Sequence, residues 1–311
     1  MAPDPLEQSD NVSLVGYTDL DGRPGFKMAL KRVGDRWLMY LANFFYSGWS
    51  VVDVTDPTDP TPLNAIDGPP NPMTLQVQVA DDLLITSLER PREGYGLADS
   101  PMDPDGEFET GAYLWDLETD PTEPELVGHY ETGGAGTHRN FYTGGEYAYM
   151  CASPEGFEAS TVADGPNPMK NFFLTVVDVS NPAEPEEVAR WMWPGQHPDD
   201  EAEREATYFH GPAYVLEDRA YLSYGRVGCV TLDVADPESP ELVNRANPVP
   251  GFGGVVSVHS FIPVPGTDLA AVNTETVSEW SPLHPDGHPV SLTFLMDVSD
   301  EREPGFRGRD W

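Results

Sequence analysis

Three histidines carry the strongest chemical signal in this chain: His138 in THRNFY, His210 in YFHGPAY and His259 in SVHSFI. Each precedes a short hairpin. Aligned on Arg36, Leu83, Tyr147, Arg219 and Leu269, a count of nine residues back reaches Lys27, Thr74, His138 and His210. Allowing one extra residue in the PVPGTD turn, it reaches His259 in the last hairpin. Neutral imidazoles converging from three adjacent elements suit one divalent transition metal, Zn, Fe, Cu or Mn. Three protein ligands leave an open coordination position. The plainer alternative is a histidine that only hydrogen bonds the backbone of a neighbouring element. No local ligand motif supports the metal independently, so the assignment rests on register.

Further candidates surround these three. Arg139 and Asn140 follow the first histidine, and Arg139 suits an anion or a carboxylate. Glu89 and Glu275 stand at the same position after the second strand of a hairpin, as acceptors for a ligand histidine. His284 and His288 have metal-like spacing, although the intervening Pro-Asp-Gly reads as a turn. Trp191 and Trp193 either cover the site or fill a packing gap. The glycines of TGGAGTH precede a strand rather than a helix, so they cradle no phosphate. The sequence holds neither a P-loop nor a G-x-S-x-G elbow.

The elements that must position these residues are repeated. VVDVTDPTDP at 51–60 returns as LWDLETDPTEP from Leu114, VVDVSNPAEP from Val176, TLDVADPESP from Thr231 and LMDVSDEREP from Leu295. Their aspartates, Asp53, Asp116, Asp178, Asp233 and Asp297, are 63, 62, 55 and 64 residues apart. A steady period means one supersecondary unit that cannot bury its apolar face alone. Proline pairs such as Pro57/Pro60 and Pro182/Pro185 cannot donate to a ladder, so they mark turns. A polar-turned hairpin supplies strands A and B, the Asp run ends strand C, and a strand D such as PELVGHY follows the prolines. Helical periodicity is confined to DDEAEREA at 199–206. The expectation is an all-β chain: a single β-propeller domain, 1–311, of four-stranded blades. The blades run approximately over 12–60, 61–124, 125–185, 186–240 and 241–304.

The Asp runs resemble those of the LVIVD-repeat propeller proteins, whose signature is an apolar run, Asp-Val and a Pro-x-x-Pro turn. The resemblance spans about residues 12–304. It implies propeller architecture and leaves the biochemical role open. That family suggests about seven blades. Five are visible here, either a closed five-blade ring or a shortened seven-blade propeller. An opening SLVGYTDL could serve as a strand D that closes the ring.

Strand A is innermost in a blade, so the three histidines should point at the channel axis. The long insertions, 88–111, 152–170, 191–208 and 274–290, emerge on the same face. Long loops on a rigid scaffold usually build the binding site. The first functional expectation is a metal-dependent enzyme, an oxidoreductase, at the channel mouth. The alternative is a non-catalytic binding module that takes a small molecule or protein on the long-loop face. Glycoside hydrolysis ranks last, because strand A carries no carboxylate at the histidine register.

Composition bounds the rest. With 53 Asp+Glu against 17 Lys+Arg, the formal net charge is −36, and only Lys27, Lys31 and Lys170 are lysines. Nucleic acid and anionic membranes are therefore unexpected partners. No apolar run approaches the ~20 residues of a membrane span. MAPDPLEQSDNVSLVG lacks the basic and apolar regions of a signal peptide. Cytoplasmic residence is the default expectation, with export by a removed leader as the other route. Cys151 and Cys229 form no C-x-x-C pair and read as buried small residues.

Self-repulsion at this charge opposes compaction in dilute buffer, and molar salt, with a Debye length of ~3 Å, screens it. The composition resembles that of haloarchaeal-type acidic proteins. Dilution to low ionic strength should unfold the chain and neutral salt restore it. A thermal midpoint equal in dilute buffer and in multimolar KCl would refute this halophilic reading.

Overall fold

Five antiparallel four-stranded sheets follow one another along the computed structural model. It describes residues 12–43, 46–91, 96–97, 100–103, 105–157, 172–197, 200, 209–247, 258–275 and 292–306. Blade 1 consists of β1 (Met28–Val33), β2 (Arg36–Ala42), β3 (Gly48–Asp53) and β4 (Thr61–Asp67). Blade 2 has β5 (Val77–Ala80) and β6 (Leu83–Leu88). A two-stranded ribbon of β7 (Gly96–Leu97) and β8 (Ser100–Pro101) intervenes before β9 (Gly111–Asp116) and β10 (Glu125–Glu131). Blade 3 is β11 (Gly136–Thr137), β12 (Tyr147–Ser153), β13 (Phe173–Asp178) and β14 (Glu186–Trp191). Blade 4 is β15 (Tyr214–Leu216), β16 (Arg219–Tyr224), β17 (Gly228–Asp233) and β18 (Glu241–Ala246). Blade 5 is β19 (Val258–Pro263), β20 (Leu269–Thr274), β21 (Thr293–Asp297) and β22 (Gly305–Phe306). Within each sheet the strands pair in chain order, A to D, so the proline turn lies inside a unit, between C and D.

The repeated aspartates are turn-makers. Each accepts a hydrogen bond from the backbone N–H two residues on: Thr55 to Asp53 at 2.9 Å, Ser180 to Asp178 at 2.8 Å, Ala235 to Asp233 at 2.9 Å. Asp56, Asp120, Asp236 and Asp300 repeat the device in the next turn. These bonds favour the ionised carboxylate and hold the pKa values of Asp53 and Asp178 below the usual range, through Thr55 and Ser180 respectively. The motif thus terminates strand C and turns the chain into strand D. A register shift recurs where C meets D, between Val51/Val52, Val176/Val177 and Thr231/Leu232. Such a bulge adds twist to the outer half of the blade.

Every strand C except the last is buried throughout, up to its aspartate. One face of a blade packs on the preceding blade and the other on the next. Leu38, Tyr40, Trp49 and Val51 meet Val77, Leu84 and Trp115 between blades 1 and 2. Leu114 and Ile85 meet Met150 and Val177 between blades 2 and 3. Val176 and Tyr149 meet Leu222 and Leu232 between blades 3 and 4, and Cys229 and Tyr221 meet Phe261 and Met296 between blades 4 and 5. The outward faces differ: Met28 and Leu30 on blade 1, and Leu295 on blade 5, are 52%, 53% and 54% exposed.

Two expectations are corrected. Pairing to the aspartates places Leu38, not Arg36, level with Leu83, Tyr147, Arg219 and Leu269, because the first hairpin is two residues longer. The opening SLVGYTDL is not a strand: residues 12–19 are irregular, and β22 fills the fourth place of blade 5. The segment still lies where a strand D would. A Cβ on Gly16 would sit 2.1 Å from the Pro57 carbonyl oxygen, as one on Gly128 of β10 would sit 1.8 Å from that of Pro182. Apart from residue 200, the 199–206 segment lies outside the described residues. No helix among the described residues is long and apolar enough to cross a membrane.

Leu232 is fully buried between blades, whereas Leu126 on β10 is exposed. Leu232→Ala should lower the unfolding free energy by about 2–5 kcal/mol in denaturant titration. Leu126→Ala should stay within about 0.5 kcal/mol. Equal effects would show that blade stacking does not carry the stability.

Candidate metal centre at the channel mouth

The inner hairpins set the site. In blade 3 the His138 N–H donates to the Cys151 carbonyl at 2.8 Å, and in blade 4 the His210 N–H donates to Ser223 at 3.0 Å. Both acceptors stand four residues past the aspartate-paired position, so the two histidines share one level. In blade 5 an irregularity between Val258 and Ser260 places His259 there. Gly211, at φ +72°, permits the crowding behind His210: a Cβ would lie 2.9 Å from the Arg139 carbonyl oxygen and from the Cys151 side chain.

The side chains form a polar row across four blades. Glu89, just past β6 in blade 2, is fully buried, and its Oε2 lies 2.6 Å from Nδ1 of His138. The His138 and His210 rings are 4.9 Å apart and the His210 and His259 rings 4.3 Å. Glu275, just past β20, closes the row, its Oε2 3.8 Å from His210 Nε2 and 3.5 Å from His259 Nε2. The Glu275 side chain is 42% exposed, so the row runs from solvent inward to Glu89.

His210, His259 and Glu275 each offer a ligand atom within 4.8 Å of the others. That spacing differs from the all-histidine trio expected from register. His138 falls outside the group, drawn aside by Glu89, and Glu275 takes its place. The row also gives the two glutamates different settings: Glu89 is sealed beneath His138, and Glu275 faces the mouth.

His259 is held neutral. Burial, then the charges of Arg139 and His138, lower its pKa to about 3. Its Nε2 makes no hydrogen bond among the described residues. Its Nδ1 has two neighbours, the Ser260 hydroxyl at 3.1 Å and Nη1 of Arg139 at 3.4 Å. Burial raises the Glu275 pKa, and Arg139 opposes the rise.

Other candidates separate. Asn140 is buried and donates to the Thr137 hydroxyl at 3.0 Å, a structural bond away from the row. Thr74 accepts from the Gly48 N–H at 3.1 Å, turned toward blade 1. Trp191 and Trp193 pack on the core between blades 3 and 4. His284 and His288 lie outside the described residues. Cys151 and Cys229 are buried free thiols, each with its pKa pushed up, chiefly by burial. The reach of Arg139 from blade 3 to blade 5 has no sequence signal.

Five sequential four-stranded sheets define a β-propeller, with a polar row of side chains on its inner hairpins. Residues 169–192, the third copy of the repeat, match the LVIVD repeat family. No curated protein sequence matches the chain. Among solved structures, a Lactobacillus plantarum protein superposes with a TM-score of 0.59 at 10% identity, over 92% of this chain and 71% of that one. A hypothetical selenium-binding protein from Sulfolobus tokodaii gives 0.54 at 10% identity, over 93% and 66%. The Pseudomonas aeruginosa periplasmic gluconolactonase gives 0.55 at 10% identity, over 91% and 72%. At this identity the likeness is one of fold.

Removing the His138 ring would leave the Glu89 carboxylate buried beside a cavity. Uncovering half of a buried pair costs about 3–5 kcal/mol. His138→Ala should therefore destabilise the fold by that amount in denaturant titration, well beyond His210→Ala. Equal losses for both variants would refute a structural role for the Glu89–His138 pair.

Proposed function

We propose that the channel mouth is a mononuclear metal site, with His210 Nε2, His259 Nε2 and Glu275 Oε2 as ligands, serving a metal-dependent enzyme. The convergence of these three atoms is the observation that carries it. Two imidazoles and one carboxylate form a donor set used by Zn(II) hydrolases and Fe(II) oxygenases. An Fe(II) ion would make the protein an oxidoreductase. Three ligands leave positions open toward the mouth for a small molecule, and the half-exposed Glu275 marks the entry side. On this reading the Ser260 hydroxyl accepts the Nδ1–H of His259, fixing the tautomer that frees Nε2. His138 and Glu89 act one step removed, holding the row in place.

A second reading rests on Arg139. A guanidinium only donates, so its approach to His259 Nδ1 favours the tautomer with the proton on Nε2, facing Glu275. The mouth would then bind an organic ligand without a metal, as a non-catalytic module on the long-loop face. The salt requirement expected from the net charge of −36 belongs to either reading and calls for a high-salt host.

Elemental analysis of protein made in such a host separates the two. The metal reading expects about one transition-metal ion per chain, falling by more than about tenfold in His210→Ala and Glu275→Ala, whose losses each remove one of three ligands. Folded protein without stoichiometric metal, even after reconstitution with Zn(II) and Fe(II), would support the binding module.

A further inference from the structure

Each of the five blades holds its own four strands, yet residues 13–18 occupy the place of one more. In blades 1 and 2 the outermost strand leans on the C-to-D turn of the next blade. Asn64 on β4 donates from Nδ2 to the Thr122 carbonyl of blade 2 at 3.0 Å. Gly128 on β10 holds the equivalent position, and a Cβ there would lie 1.8 Å from the Pro182 carbonyl oxygen of blade 3. Gly16 repeats this contact on blade 1, where a Cβ would lie 2.1 Å from the Pro57 carbonyl oxygen. The sequence repeats as well: Leu14-Val15-Gly16 matches Leu126-Val127-Gly128. Residues 13–18 therefore stand as the strand D of a blade in front of blade 1. That blade is not blade 5, whose fourth place β22 fills. Among the described residues no strand pairs with this segment. Val15 is 57% exposed, whereas its counterpart Val127 packs against the core between blades 2 and 3.

The faces at the two ends of the stack match this reading. Leu30 of β1 pairs with Met39, on the side of blade 1 opposite the Leu38 and Tyr40 that pack on blade 2, and it is 53% exposed. On blade 5, Ile262, Ala271 and Leu295 stand level across three strands, alternating with the Phe261 and Met296 that pack on blade 4. A backbone edge beside an apolar face is a template for strand addition. A second copy of this chain has no strands to give, because each of its blades is already four-stranded. We propose that a separate polypeptide of the same Asp-turn repeat docks here. Its antiparallel strands A to C take residues 13–18 as their strand D and press an apolar face on Met28 and Leu30. Propellers run to about eight blades, so a further one fits the architecture. The docking needs no metal and is independent of the metal reading.

The test uses the full chain in about 2 M KCl, where charge repulsion is screened. The probe is a synthetic peptide of residues 209–236, strands A to C of blade 4, carrying Cys229→Ala against disulfide formation. Calorimetry should show saturable binding, and none for the peptide of reversed sequence. Hydrogen exchange at the amides of residues 14–18 should be fast in the chain alone and at least about tenfold slower with the peptide, as ladder pairing requires. Leu30→Asp should abolish peptide binding and leave the thermal midpoint of the chain alone unchanged, because Leu30 is already half exposed. Gly16→Val, whose side chain meets the Pro57 carbonyl, should weaken binding by about tenfold or more by displacing the strand. Slow exchange at 14–18 without peptide, or a midpoint lowered by Leu30→Asp, would show that the chain covers this edge itself and overturn the proposal. A dimer that Leu30→Asp splits would give the face to a second copy instead. Absence of saturable binding, or equal binding of the reversed peptide, would overturn it too.

Discussion

The structure depends on one constraint: the central strand of a blade is apolar on both faces. Val177 packs on blade 2 and Val176 on blade 4, and in blade 1 Val51 packs on blade 2 while Val52 packs on Leu20 and Leu41. Burying only one of those faces would leave roughly half of each strand's apolar surface in water, at about 25 cal/mol for each Å² left exposed. No sheet here is stable by itself, and stacking is the only arrangement that covers both faces. The Asx turns follow from the same need. They stop strand C at a fixed point, so the turn to strand D and the bulge fall at the same height in successive blades. A fixed height at the outer strands fixes the height of the inner hairpins, and the histidines inherit it.

Charge is distributed against that scaffold in an unusual way. The acids that dominate the composition line turns and outer strands, where water solvates them. Among the described residues Glu89 is the exception, fully buried and matched with His138. Cations are scarce, and one of them, Arg139, reaches from blade 3 to His259 in blade 5. His259, kept neutral by burial and by Arg139, is available as a lone-pair donor at any physiological pH.

The Asp-x-x-x-Pro periodicity revealed the unit, because aspartate and proline at those offsets have few other uses. The level of His138 and His210 was legible because a hairpin with a short turn transmits register faithfully. The same count misjudged the first hairpin by two residues, since Arg36 stands inside a longer turn-proximal ladder whose length no turn residue announces. It also misjudged Thr74, because β5 begins late and the pairing before it is irregular. Glu89 and Glu275 share a sequence position but not a role. Which of them seals a histidine and which faces the mouth depends on how the neighbouring blade covers it, and that is tertiary information. The approach of Arg139 to His259 spans 120 residues and no periodicity encodes it.

His259 couples the two halves of the channel mouth through its tautomer. With Nδ1 unprotonated, it accepts from Arg139, and Nε2 carries the proton toward Glu275. With Nδ1 protonated, it donates to the Ser260 hydroxyl, and Nε2 offers its lone pair to an ion. The second state places an N–H against a guanidinium N–H, so Arg139 must leave. The Glu275 carboxylate, which feels the Arg139 charge, stands in the same row. An ion on Nε2 would therefore select the tautomer that Ser260 supports and disfavour the approach of Arg139 to the ring. The 3.4 Å separation between Arg139 and His259 is long for a charge-assisted hydrogen bond, so the guanidinium holds that tautomer only weakly.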